Sequence, residues 1–200
     1  MNETRAAQYG TIVSMVSVET SSRQDRTEAA ILDAAAHLLA DAGAASMADV
    51  AAAAGVGRAT LYRYFPSRED LLKALAGHAV AEAGARIAEA GLDHVSVEES
   101  LARIVRALVT VGDRYAVLVA EQIKPDKRES ERLLASPIRA VFARGIKEGV
   151  LRDDISLDAL VAFFGGAVGV AIKLTGSRQL GLEDAAAAAT TLFLDGVRAD

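Results

Sequence analysis

The sequence predicts an all-α protein. Apolar residues recur at helical spacing through most of the 200 residues, short Ser- or Asp-led capping patterns open the periodic runs, and no alternating strand pattern of any length appears. Hydrophobic residues make up 52% of the chain, ample for a buried core in one large or two small domains. With no cysteine there is no disulfide framework and no thiolate metal site, which fits a reducing cytoplasm.

Residues 1–22 are polar and rich in small side chains, without a sustained period, and read as a mobile tail. Their only apolar run is short and lacks a charged leader, so no signal peptide is expected, and Met1 and Met15 are both possible starts. Arg5, Arg23 and Arg26 could form a minor-groove arm, although an untethered tail is the simpler expectation. Asp25 followed by Glu28 opens a helix in which Ile31, Leu32, Ala35, Leu38 and Leu39 keep helical spacing, and Gly43 ends it.

The next stretch organises the chain. Ser46 with Asp49 can cap a short helix, Gly55 can take the left-handed conformation that ends it, and Val56 can plug the corner. Gly57 lets the chain turn again, and a second helix runs from Arg58 to about Phe65, where Pro66 disfavours further helix. Leu61 and Phe65 share the inward face. Arg58, Thr60, Tyr62, Arg63 and Tyr64 are left outward, a set suited to phosphates and base edges. This is a helix-turn-helix pattern, whose second helix enters the DNA major groove.

Ser67 with Asp70 then caps a helix lined by Leu71, Leu72, Leu75 and Ala79 that continues to about Ala90. Ser96 and Glu99 cap a segment carrying Leu101, Ile104, Val105, Leu108, Gly112 and Tyr115, with Arg103, Arg106 and Arg114 expected outward; Pro125 closes that region. A short piece over 129–134 follows, then Ser136 and Pro137 read as the cap and first position of a helix over 138–148, ended by Gly149. Ser156 opens a helix to about Leu174, and the last runs from Leu182 to Val197. The run 159–172 is apolar all round yet shorter than the roughly 20 residues needed to cross a bilayer, and reads as a buried helix. Its Gly165, Gly166 and Gly169, each costing about 1 kcal/mol relative to alanine, suggest close approach to another helix.

Net charge is −5, but the acids are unevenly placed: from Ala51 to Arg68 there are three arginines and no acid. A positive field would therefore be local to the recognition segment. His37, His78 and His94 are scattered without metal-pair spacing, and the Gly-Gly-Ala-Val-Gly stretch has no preceding strand, so no catalytic residue, metal or cofactor is expected.

The run AGVGRATLYRYFPSREDLL, preceded by D-V-A-x-x-A-G-V at the right spacing, resembles the DNA-binding domain of the TetR family of bacterial transcriptional regulators, over about residues 25–84. The resemblance implies three parts: the tail 1–22, a helix-turn-helix domain over 23–84, and a helical effector-binding and dimerisation domain over 85–200, about nine helices in all. It implies that Ser46, Tyr62 and Arg68 meet the DNA backbone, that Arg58, Ala59, Thr60 and Arg63 lie against bases or neighbouring phosphates, and that Gly57 belongs to the same DNA-facing surface. Tyr64 stands where histidine is common, while Met47, Ala48 and Gly57 depart further, which throws weight on the arginines.

The resemblance also implies a homodimer built by the last two helices, with Gly165, Gly169, Ala185, Ala189, Leu192 and Phe193 as candidate interface residues. A small apolar effector would sit between the central helices, with Tyr115, Phe142 and Phe164 as candidate lining. The expected function is a cytoplasmic repressor, not an enzyme and not membrane-bound, released by that effector from palindromic double-stranded DNA. An all-helical enzyme or a protein-interaction module using the C-terminal domain is the alternative.

Overall fold

Local capping chemistry sets the first turns of the fold. The structure, a computed structural model, describes residues 25–39, 45–115, 117, 118 and 121–199. The expected tail, Arg5, Arg23 and the Gly43 stop lie outside the described residues. Helix α1 (25–39) buries Ile31, Leu32, Ala35, Ala36 and Leu39. Helix α2 (Met47–Ala53) begins at a full capping box: the Ser46 hydroxyl accepts the Asp49 amide, and the Asp49 carboxylate accepts the Ser46 amide. Gly55 is left-handed at φ 66°, a conformation that glycine adopts at no steric cost, and frees the chain to enter α3 (Arg58–Tyr64). Phe65 has left helical geometry ahead of Pro66, so α3 stops as the proline requires.

Helix α4 (Arg68–Glu89) starts with the Ser67 hydroxyl accepting the Asp70 amide and runs 22 residues. A 3-10 turn (Leu92–His94) leads into α5 (Val97–Arg114), which packs against α4 and against the three later helices α7 (Ser136–Lys147), α8 (Leu157–Gly176) and α9 (Leu182–Val197). Gly112 of α5 makes one of these approaches possible, because a Cβ there would lie 2.5 Å from Ile172 Cγ1. Among the described residues there is no strand; Leu151 and Arg198 form one isolated bridge that ties the loop after α7 to the C-terminal end.

Two apolar clusters hold the molecule. One joins α1, α2, α3 and the first half of α4, and takes in Val111, Tyr115, Val117 and Leu118 from the end of α5 and just beyond. The other joins α5, α7, α8 and α9 around Phe142 and Phe164. The far end of α5 is therefore built into the core of the helix-turn-helix unit.

Two expectations are corrected. Ser136 is not a helix cap: it has helical backbone angles, and the chain runs from α6 (Lys127–Ser130) through a π turn (Glu131–Ala135) into α7 without leaving helical geometry. Pro137 lacks an amide hydrogen and crowds the carbonyl four residues back, so a wider turn ahead of it is the geometry that keeps the helix going. The helix α8, read as buried, is buried on one face only, through Leu160, Phe164, Val168, Ala171 and Thr175. Its other face leaves Phe163 68% and Val170 59% exposed.

Candidate nucleic-acid interface

The recognition helix is held from below and open above. Leu61 and Phe65 are 0% and 3% exposed and anchor α3 to the domain core, and Val56 fills the corner beside them. Arg58, Ala59, Tyr62 and Arg63 are exposed, with Thr60 and Tyr64 half-buried. One short helix thus presents two guanidinium groups, a hydroxyl and a phenol outward. The Arg63 guanidinium lies over the Tyr64 ring at 5.5 Å, a stacking contact that limits its rotamers while leaving its donors free.

Gly57 is the N-cap of α3 but carries an ordinary backbone, φ −70°, and a Cβ there would touch nothing. Its role as a second turning point is therefore corrected: any residue could adopt that conformation. What glycine leaves at this corner is bare backbone, without a side-chain cap on α3.

Ser46 and Arg68 flank this face and are both engaged within the protein. The Ser46 hydroxyl donates to Asp49 Oδ2 at 2.6 Å while its oxygen accepts the Asp49 amide, so its proton is engaged within the capping box. The hydrogen bonds from the Ser46 side chain and backbone hold the Asp49 carboxyl below the usual carboxylate range, helped by the charge of Arg58. Arg68 donates from one nitrogen to the Ala45 carbonyl at 2.6 Å and from the other to Glu121 Oε1 at 2.7 Å. It straps the entry of α2 to the segment after α5, a contact invisible in the local motif because the partners are 53 residues apart.

The chain segment 31–75 matches the model of the family described as "Bacterial regulatory proteins, tetR family". The N-terminal unit is thus similar to the DNA-binding domain of the TetR family. The curated repressor LfrR of Mycolicibacterium smegmatis is 46% identical over 96 residues, 48% of this chain and 50% of that protein, so the match spans about half of the relative's length. The regulator NfxB of Pseudomonas aeruginosa is 28% identical over 140 residues, 67% of this chain and 74% of its own. The likeness extends through the whole fold: the crystal structure of LfrR from Mycobacterium smegmatis in complex with proflavine superposes with a TM-score of 0.70 at 28% identity, covering 86% of this chain and 96% of that one.

The remaining site expectations fall in different places. Tyr115 is 3% exposed in the N-terminal cluster, where its hydroxyl donates to Glu82 Oε2 at 3.1 Å; burial, then the Glu82 charge, push its phenol well above the ordinary range. Phe142 and Phe164 lie in the other cluster, so the three are not brought together. Phe164 does line a groove of about 390 Å³ with Leu108, Leu134, Ile138, Val168 and Ile172, and Gly165 and Gly169 form part of its wall. Of the candidate dimer residues, Ala185 is buried within the protomer, Phe193 packs against Phe142 and Phe164, and Ala189 is half-buried. Leu192 is 76% exposed, and Phe163 and Val170, which the small-residue pattern did not single out, are the large apolar side chains exposed on α8.

Proposed function

We propose that the protein is a dimeric repressor that reads a palindromic operator with α3 and is released by a small apolar effector. The observation that carries this reading is the outward set Arg58, Thr60, Tyr62 and Arg63, mounted on buried Leu61 and Phe65 within the segment that matches the family. Arg58, at the start of α3, is positioned as a base reader: a bidentate arginine contact to guanine is the commonest specific contact in the major groove. Ser46, Gly57, Ala59, Tyr62, Tyr64 and Arg68 complete the surface as positioning groups. Such a regulator works in the cytoplasm, on the chromosome.

Selection of bound sequences from random DNA with the purified protein should enrich a palindrome whose half-site centres lie about one helical turn, or a multiple of it, apart. No enrichment at low salt would sink the reading. On the selected operator, Arg58→Ala should lose about 1–3 kcal/mol and relax preference at one base pair. Arg68 is expected to differ, because a phosphate contact has to compete with Glu121 for the same guanidinium. Arg68→Ala should weaken all sequences alike and reduce the salt slope by about one unit, and Glu121→Gln should strengthen all sequences by releasing the arginine. A salt slope unchanged by Arg68→Ala would leave it only the strap role.

The effector reading rests on the apolar groove between α5, the π turn and α8. Its volume, about 390 Å³, falls at the lower end of the usual range for small-molecule sites, roughly 300–1,000 Å³. The proflavine bound by LfrR makes planar aromatic compounds the first set to screen. A compound at 100 times its dissociation constant should stabilise the fold by about 2.7 kcal/mol in thermal melts. Operator affinity must then fall by the coupling factor, since linkage between two sites is reciprocal; binders that leave operator affinity unchanged would defeat induction at this groove.

A further inference from the structure

A second cleft, of about 490 Å³, lies on a different side of the C-terminal half, between the end of α4, the 3-10 turn and the π turn with α7. Its walls include the apolar Ile87, Leu133 and Val141, and two arginines, Arg132 and Arg144, line it.

Arg144 is unlike the other half-buried arginines. Arg68, Arg103, Arg114, Arg139 and Arg152 each meet a carboxylate, on Glu121, Glu99, Glu82, Glu131 and Asp154 respectively. The Arg144 guanidinium instead donates to the Leu92 carbonyl at 3.0 Å, the Val95 carbonyl at 3.3 Å and the Ser100 hydroxyl at 2.7 Å. These neutral acceptors fix its position but supply no negative charge. Its Nε is buried without a partner, alone in this respect among the side-chain atoms of the described residues. The Arg132 side chain forms no hydrogen bond or ion pair among the described residues, and Asp93, the acid on the same wall, pairs with neither arginine. A half-desolvated cation without a counter-charge is costly, so the cleft combines an unmet demand for an anion with an apolar lining that would favour a hydrocarbon or aromatic body.

We propose that this cleft binds an amphiphilic organic anion, with its acidic group at Arg144 and Arg132 and its apolar part along Ile87, Leu133 and Val141. The site is separate from the operator face and from the groove beside α8, and its failure would leave the reading of DNA untouched.

Calorimetric titration with decanoate, decanol and inorganic phosphate, all below micellar concentration, tests this directly. Decanoate should bind saturably, with decanol and phosphate each weaker by about tenfold or more, because one lacks the charge and the other the apolar body. Arg144 holds the 3-10 turn, so its removal could disturb the fold. The decisive variants are therefore Arg132→Ala, which breaks no side-chain hydrogen bond or ion pair among the described residues, and Ala140→Trp, which fills the cleft from an exposed position. Arg132→Ala should weaken decanoate about tenfold and Ala140→Trp should abolish binding, both with unchanged melting of the free protein. Decanoate binding no better than decanol or phosphate, binding indifferent to Arg132→Ala, or no binding at millimolar decanoate would each overturn the proposal.

Discussion

Phe163→Glu should convert the protein into monomers at micromolar concentration, with operator affinity lost alongside. Phe163 is 68% exposed on α8, Val170 of the same helix 59%, and Leu192 of α9 76%, so both terminal helices carry large apolar side chains that the protomer does not cover. Helix α8 is 20 residues long and apolar enough, by length and composition alone, to cross a membrane. Its inner face, however, is part of the core shared with α5, α7 and α9. A second copy related by a two-fold axis is the partner that would cover the outer face, because an isologous interface lays the same patch on itself. Glutamate placed there would be desolvated without a counter-ion in both copies, and an uncompensated buried charge costs about 3–5 kcal/mol. Because residue 163 is exposed within the protomer, the substitution should leave the protomer fold intact. Sedimentation velocity with circular dichroism reads both outcomes, and a well-folded Phe163→Glu dimer would rule this face out as the interface.

The same helix shows where sequence reasoning reaches its limit. A face that packs inside a protomer and a face that packs against a second copy have the same apolar composition, so the run 159–172 reads as a core helix in either case. Its glycines were equally ambiguous. A Cβ at Gly165, Gly166 or Gly169 would meet nothing within 4 Å, so the close helix approach expected of them is not made within the protomer; Gly165 and Gly169 lie on the wall of the groove, bulk at Gly169 would enter it, and Phe163 is the sharper probe of assembly. The helix-turn-helix was legible because its signals are local: Ser46 reaches Asp49, Gly55 turns, Pro66 stops, all within a few residues of where they act. The Ser136-Pro137 pair misled for the converse reason, since a proline after a helix start and a proline tolerated by a π turn leave the same local pattern. Contacts distant in sequence left no signal: Arg144 reaches Ser100 across 44 positions, and Arg114 bridges Glu82 of α4 and Asp33 of α1.

Phe142→Ala should destabilise the protein by about 3–5 kcal/mol, the range for deleting a buried aromatic side chain. Phe142 is 0% exposed and sits at one corner of an aromatic triangle, with ring centroids 5.5 Å from Phe164 and 5.7 Å from Phe193 at interplanar angles of 79° and 72°. Phe164 and Phe193 close the triangle at 5.2 Å and 73°. These edge-to-face pairs each add about 0.5–1.5 kcal/mol beyond burial, and together they join α7, α8 and α9 at one point. The candidate effector role of Phe142 competes with this one, because a ring packed on two others has little free surface to offer a ligand. Phe142→Leu keeps much of the apolar volume but loses both ring pairs, about 1–3 kcal/mol, and should cost less than Phe142→Ala, separating the loss of packing from the loss of ring geometry. Denaturant unfolding at fixed protein concentration, needed because association adds to apparent stability, measures the difference through the midpoint at constant slope. A loss below about 1 kcal/mol for Phe142→Ala would mean that the triangle contributes little to packing.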